Sequence, residues 1–91
     1  MIEPRSLTVR GSAENARGLS AFLENIMNGE RTEFPNLRMA PDITINYVRD
    51  DEVLILDVYA NGGLVKERTS GEAWRVAEPI AFQSIVIQNF R

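Results

Sequence analysis

The sequence predicts an α+β domain of two layers, in which one N-terminal helix packs on a curved antiparallel sheet of four to five strands, in the order β-α-β-β-β-β. Residues 43–48 alternate apolar and polar side chains with the period of two that strands require. Asn61-Gly62 is a typical hairpin turn, because both residues tolerate positive φ. Residues 13–28 space their apolar side chains by threes and fours, as helices do. The 91 residues suffice for one domain, 1–91, with a single core.

The N-terminal part of the chain predicts a strand followed by a helix. Ser6–Arg10 alternates apolar side chains and is expected to form a short strand. Ser12 is a good N-cap and Gly29 a natural C-terminal stop, so we expect a helix over Ala13–Asn28. Gly18 inside this helix either permits a close approach to the sheet or is simply tolerated. The apolar stripe expected to pack on the sheet consists of Ala16, Leu19, Phe22, Leu23, Ile26 and Met27.

Two tight turns fix the register of the central strands. A two-residue turn at Asp50-Asp51 pairs Arg49 with Glu52. This register sets three apolar pairs on one face, namely Tyr47 with Leu54, Ile45 with Leu56, and Ile43 with Val58. These pairs are expected to receive the apolar stripe of the helix.

The Asn61-Gly62 turn sets Val58 opposite Val65 and Asp57 opposite Lys66. Opposite charges at such a position stabilise a strand pair by about 0.2–1 kcal/mol. A three-residue loop would place Asp57 against another carboxylate, so the two-residue turn is preferred. Asp57 and Lys66 are therefore interpreted as a structural pair and not as a catalytic acid and base.

The second face of this sheet is too apolar for a surface that meets only water. It carries Thr44, Asn46, Val48, Val53, Ile55, Asp57, Tyr59, Leu64, Lys66 and Arg68. A lone helix shields only the opposite face. Either another part of the chain or a partner must cover this one.

The remaining segments carry weaker patterns. Residues 30–41 are polar and contain two prolines, which discourage regular structure. Residues 72–77 follow a Ser-Gly turn and fit either a strand or a short helix. Residues 80–90 predict a long strand with a β-bulge near Gln83, where the apolar side chains change phase.

This predicted order of elements resembles the cystatin-like arrangement in topology alone. The inhibitor loop of cystatins has a Gln-x-Val-x-Gly pattern, and the corresponding turn here is Arg49-Asp50-Asp51-Glu52. The resemblance therefore implies a fold, and no activity or site residue of cystatins is carried over.

The composition excludes several kinds of chemistry. The chain has no cysteine and no histidine, which rules out disulfides, ordinary zinc sites, Cys nucleophiles and His-based triads or general bases. It also has no Gly-x-Ser-x-Gly, Ser-x-x-Lys or Walker pattern. We therefore predict that the protein is not an enzyme, and we expect no catalytic residue, metal or cofactor.

The charge balance bears on the partner. A net charge of −3 favours a basic protein and argues against direct nucleic-acid binding, whose affinity comes from phosphate neutralisation. No apolar run approaches the ~20 residues of a membrane span, and the N-terminus shows no apolar signal segment. We expect a cytoplasmic protein with no membrane partner, in the host cytoplasm if a phage encodes it.

Three groups of side chains are candidates for binding. The acidic triplet 50–52 could attract a basic partner or gather a divalent cation, although it is also typical of a solvated turn. Trp74 and Tyr59 are typical hot-spot residues, although a lone Trp in a small domain is more often part of the core than a contact residue. The predicted partner-binding residues are Asp50, Asp51, Glu52, Val53, Ile55, Tyr59, Leu64 and Arg68. The alternative set, for an anionic nucleotide or metabolite, is a guanidinium cluster of Arg49, Arg68 and Arg75.

We predict from these features a small non-enzymatic binding protein that inhibits or neutralises a macromolecular partner. Anti-defence proteins of phages or mobile elements, such as anti-CRISPRs, and immunity proteins or antitoxins are classes with this size and acidity. Two alternatives stand beside it. One is an oligomeric binder of an anionic nucleotide or metabolite, and the other is a structural subunit that forms a homodimer through the exposed sheet face.

Overall fold

A mixed sheet of six strands, with two helices, is formed by the residues that the structure describes. The structure is a computed structural model, and it describes residues 5–10, 18–33 and 40–89. The elements in chain order are β1 (Arg5–Arg10), α1 (Leu19–Met27), β2 (Arg31–Thr32), β3 (Ile43–Arg49), β4 (Glu52–Tyr59), β5 (Leu64–Glu67), β6 (Ala73–Arg75) and α2 (Pro79–Asn89). The strands follow the order β1-β3-β4-β5-β6-β2 across the sheet. The α+β class is as predicted, while the strand count and the element order differ.

The two central hairpins form in the predicted register. The pairs that occur include Tyr47 with Leu54, Ile45 with Leu56, Ile43 with Val58, Val58 with Val65, and Asp57 with Lys66. Asn61 has φ 55° and ψ 40°, and Gly62 has φ 91°, which are the angles of a type I′ turn. Asp50, in the turn between β3 and β4, also has a positive φ, of 52°. Turn residues that accept positive φ therefore set the register locally.

The edges of the sheet depart from the prediction. β1 forms as expected but runs parallel to β3, with Leu7 opposite Ile45, so the sheet is mixed and not antiparallel throughout. A parallel pair needs a long crossover connection, which α1 and the segments around it supply. At the other edge, β2 lies in the region predicted to be irregular and pairs with β6. The segment that fitted either a strand or a short helix forms a strand, β6. This topology differs from the order on which the cystatin-like resemblance was based.

The C-terminal segment is a helix, and the prediction of a strand with a bulge over residues 80–90 is wrong. Phe82 and Val86 of α2 lie one helical turn apart and are buried, whereas Ile80 is 82% exposed. Pro79 occupies the first position of the helix, where its fixed φ is favourable. Within the described residues, neither helix combines the length and apolarity needed to cross a membrane.

Both helices pack on the same side of the sheet and enclose the core. The helix α1 begins at Leu19, inside the predicted range, and residues 11–17 lie outside the described part of the chain. Gly18 precedes the helix with φ 78°, and no atom of the described residues lies within 4 Å of its would-be Cβ. Phe22 of α1 stacks on Phe82 of α2 at a centroid distance of 5.4 Å. The buried core consists of Val9, Leu19, Leu23, Ile26, Ile45, Tyr47, Leu56, Val58, Val65, Trp74, Val76, Phe82 and Val86.

Candidate functional site

Among the apolar residues described on the second face of the sheet, the most exposed one lies near the hairpin tip. Val53 is 57% exposed, and Ile55 and Leu64 are half-buried. Tyr59 is only 8% exposed, at the opposite end of β4. The accessible apolar part of the predicted partner surface is therefore centred on Val53.

Arg68, another predicted contact residue, is bound to a buried carboxylate of this face. Its Nε and Nη2 atoms donate to Asp57 at 3.1 and 2.8 Å, and the Thr44 hydroxyl donates to the same carboxylate at 2.9 Å. Lys66 lies opposite Asp57 as the register predicted. The hydrogen bonds and charge of Asp57 raise the pKa of Arg68 above its usual value. Arg68 thus has a structural role in a charge-assisted pair.

The acidic tip of the β3–β4 hairpin is exposed. Asp50 and Asp51 form no hydrogen bond or ion pair in the described part of the chain, and Glu52 lies 3.5 Å from Arg49. The described residues contain no group of three or more carboxylates placed to hold a metal ion. The tip is therefore a cluster of charges directed toward solvent, next to exposed Val53.

A cleft of about 470 Å³ opens behind this tip, between the end of α1 and the ends of β4 and β5. Its apolar wall is formed by Met27, Leu54 and Trp74. Its charged groups are the carboxylates of Glu24, Glu52, Glu67 and Glu72 and the guanidinium groups of Arg31 and Arg49. Four negative and two positive groups give the cleft a surplus of two negative charges. Such a site suits a ligand with an apolar part and a positive charge.

One side of the cleft is held in place by a network around Glu24. The Tyr47 hydroxyl donates to Glu24 Oε2 at 2.7 Å, and Arg49 Nη1 donates to Glu24 Oε1 at 3.1 Å. Burial, together with the hydrogen bond to Glu24, raises the pKa of Tyr47 to about 12. The tyrosine therefore stays protonated and keeps donating at neutral pH. This network ties α1 to β3, and it fixes the position of the Arg49 guanidinium.

The carboxylate of Glu67, at the end of β5, accepts hydrogen bonds from backbone N–H groups that are not paired with a described strand. Its Oε2 accepts from the Ile55 N–H at 3.0 Å, and its Oε1 accepts from the Ser70 N–H at 2.8 Å. Burial by itself would raise the pKa of Glu67, but hydrogen bonds from the N–H groups of Ser70, Thr69 and Ile55 outweigh it and lower the pKa. The carboxylate therefore stays ionised and closes the turn that follows β5.

We expect Glu67→Gln to lower the free energy of unfolding at pH 7 by about 1–2 kcal/mol, because an amide nitrogen would face a backbone N–H. The pKa of Glu67 in the folded chain lies below its ordinary value of 4.5, so the stability that the ionised carboxylate provides is fully present above pH 4.5. This stability is lost as the pH falls through the pKa of the folded state. Urea unfolding at pH 7 and at about pH 3 should show the difference between wild type and variant shrinking in acid.

Glu72→Gln is the matched control for this change, since the Glu72 side chain is 42% exposed on the rim of the same cleft. We expect it to alter stability by less than about 0.5 kcal/mol at either pH. Equal effects of the two substitutions would contradict the role given to Glu67.

Trp74 combines deep burial with an unsatisfied donor. It is 4% exposed and lines the cleft, and its indole Nε1 has no hydrogen-bond acceptor in the described part of the chain. A buried N–H without a partner costs about 1–3 kcal/mol. Because this nitrogen has almost no accessible surface, the cleft offers a ligand the indole ring and not the N–H.

The three arginines of the alternative ligand set occupy different environments. Arg49 lines the cleft and is bonded to Glu24, while Arg68 is bonded to Asp57. Arg75 lines a separate hollow beside α1. The structure does not bring them together into one anion site, and it gives no support to the nucleotide alternative.

In comparisons with known proteins, no family model, no curated protein and no solved structure matches the chain. The site is therefore interpreted from its own geometry. The sequence pointed to Glu52 and Val53 but missed Glu24, Glu67 and Glu72. The signal for Glu67 and Glu72 was the Ser-Gly turn after residue 69, which ends β5 opposite the middle of β4, whereas Glu24 had no local signal.

Proposed function

We propose that the protein is a non-enzymatic binding protein that captures a basic protein partner at the hairpin tip and the adjoining cleft. The observation that carries this proposal is the continuity of exposed Asp50, Asp51 and Val53 with a cleft of surplus negative charge. Charges at a rim steer association and select a complementary partner. The apolar groups beside them provide the area that can be removed from water.

A protein that acts in this way is expected to work stoichiometrically, as an inhibitor or neutraliser of its partner. The absence of cysteine and histidine from the sequence leaves binding as the simplest activity. One copy would then occupy one partner surface. The partner's own activity, measured while the chain is added up to equimolar amount, is the readout of inhibition.

We expect neutralisation of the tip in Asp50→Asn/Asp51→Asn/Glu52→Gln to weaken capture of the partner by roughly tenfold or more, because electrostatic complementarity is lost. The immobilised protein would be exposed to lysate of its source cells at low and high salt. Captured proteins would then be quantified by mass spectrometry. The expected result is a basic protein that wild type retains at low salt and that the tip variant loses.

The matched control is Glu30→Gln/Glu33→Gln/Glu78→Gln, which changes the net charge equally at three exposed positions away from the tip. This variant should capture the same partner as wild type. Capture of one and the same set of proteins by wild type, control and tip variant would contradict the proposed function.

A further inference from the structure

The edge of β4 beside the cleft has unpaired backbone groups. β4 has eight residues and β5 only four, so β5 covers only the half of β4 that ends at Tyr59. The last backbone hydrogen bond on this side joins the Arg68 N–H to the Ile55 carbonyl oxygen at 2.8 Å. Beyond this point the chain turns away, and no strand within the described ranges covers this edge.

Val53 is the residue whose backbone faces the free edge. In an antiparallel ladder, alternate residues direct both the N–H and the C=O to the same neighbouring strand. Ile55 directs both toward β5, where its N–H donates to Glu67 and its C=O accepts from Arg68. Val53, two residues earlier, therefore directs its N–H and C=O toward the cleft. The residue in register with it would be Ser70, whose N–H is instead donated to Glu67.

The surroundings of this edge specify the chemistry of a segment that could pair with it. Glu52 and Glu72 stand on the rim with side chains 57% and 42% exposed. Each already lies near an arginine, at 3.5 Å from Arg49 and 3.6 Å from Arg31, but these exposed pairs are weak, so a basic side chain of a partner can join or replace them. Trp74 and Leu54 offer apolar surface. A peptide that alternates basic and apolar side chains has the complementary side chains, and its backbone can pair with the edge of β4.

We propose that an extended segment of the partner, carrying lysine or arginine, adds to the free edge of β4 as a further strand. Its backbone exchanges hydrogen bonds with Val53, and its basic side chains lie beside Glu52 and Glu72. This inference rests on the proposed function, since it assigns a binding mode to the same site.

The test uses a blocked synthetic peptide, Lys-Val-Lys-Val-Lys-Val, titrated into the ¹⁵N-labelled protein and followed by NMR. We expect the Val53 amide signal and the Trp74 indole signal to shift, and exchange of the Val53 amide with solvent to slow. The same peptide methylated on alternate backbone nitrogens keeps its charge but loses donors along one edge. It should bind at least roughly tenfold more weakly, because strand addition depends on main-chain hydrogen bonds.

Two variants at Val53 separate backbone pairing from side-chain contact. Val53→Pro removes the N–H of residue 53, which points to the free edge and takes no part in the pairing of β4 with β3. Val53→Ala keeps this N–H. The alanine variant should bind the peptide almost as well as wild type, and the proline variant at least roughly tenfold more weakly. The methylated peptide tests the same point on the wild-type chain, so a proline variant that fails to fold does not obscure the result.

Equal binding of the two peptides, equal binding by a folded proline variant, or no peptide binding at all would overturn strand addition. Association of two copies along this edge in place of peptide binding would also overturn it. The proposed function fails separately, if neutralising the tip leaves partner capture unchanged. A partner captured through the tip but insensitive to Val53→Pro would thus refute only the binding mode.

Discussion

Arg68→Ala is expected to lower the free energy of unfolding by about 2 kcal/mol, because a buried carboxylate loses the counter-ion that donates two hydrogen bonds to it. Asp57 is only 4% exposed. Among the described residues, its carboxylate accepts three side-chain hydrogen bonds, and the Arg68 guanidinium donates two of them. The Thr44 hydroxyl still donates to this carboxylate in the variant, and Lys66 still lies opposite it in the strand pair. The Arg68 side chain is 56% exposed, so water takes part of its place and the loss stays below that of a fully buried pair. Denaturant unfolding followed by tryptophan fluorescence measures the change.

The double variant Asp57→Asn/Arg68→Ala is the control for this expectation. A neutral amide at position 57 removes the uncompensated charge, so the double variant should be more stable than Arg68→Ala alone. Arg68→Lys keeps the charge but cannot form two parallel hydrogen bonds, and its stability should fall between those of wild type and the alanine variant. If the free energy of unfolding of Arg68→Ala lies within about 0.5 kcal/mol of the wild-type value, the pair of Arg68 and Asp57 contributes no more than an exposed surface ion pair.

Gly62→Ala is expected to cost about 3 kcal/mol, since it combines backbone strain with a steric clash against α2. Gly62 has φ 91°, and a Cβ built there would lie 2.8 Å from Gln83 Cγ and 3.1 Å from the Pro79 carbonyl oxygen. The side chain of Gln83 can move, but the carbonyl oxygen belongs to the first turn of the helix. Relief of the clash therefore requires α2 to shift on the sheet. The same unfolding experiment reports the loss.

Gly71→Ala provides the matched comparison. Gly71 has φ 79°, similar to that of Gly62, but within the described part of the chain no atom lies within 4 Å of its would-be Cβ. It should therefore report the strain of positive φ alone, about 1 kcal/mol. Equal losses for the two alanine variants would show that the turn does not support α2.

The hairpins could be predicted because the information that forms them is local. Asn61-Gly62 sets the turn, and the alternation of apolar residues in β3 sets the side that faces the core. Strands that follow one another along the chain and join through tight turns have few other registers. The cross-strand pairs at Ile45 and Asp57 could accordingly be assigned from the sequence.

The helix α2 could not be predicted from apolar periodicity, because its apolar residues lie on more than one side. Phe82 and Val86 face the core, while Ile80 and Ile87 face outward, which removes the period of 3.6. The phase change near Gln83, interpreted as a bulge, is instead the result of helical spacing. Pro79 was the signal in favour of a helix start.

The cleft depends on a length difference between neighbouring strands, and this is a tertiary property. The sequence identified Glu52 and Val53 as accessible, but it did not show that β5 ends at Glu67, short of them. Once the register is known, the difference in length between β4 and β5 gives the part of β4 that β5 leaves unpaired. The contribution of α1 through Glu24 depends on helix packing and had no local signal.

The parallel pairing of β1 with β3 also affects the order in which the protein assembles. The β3–β4–β5 meander joins sequence neighbours and closes at little cost in loop entropy, whereas Arg5 must meet Ile43 across a long intervening stretch. We therefore expect the meander to form before the N-terminal strand attaches to it. Until β1 attaches, the edge of β3 can pair with a strand of another molecule. The attachment of β1 within the same molecule prevents this route to aggregation.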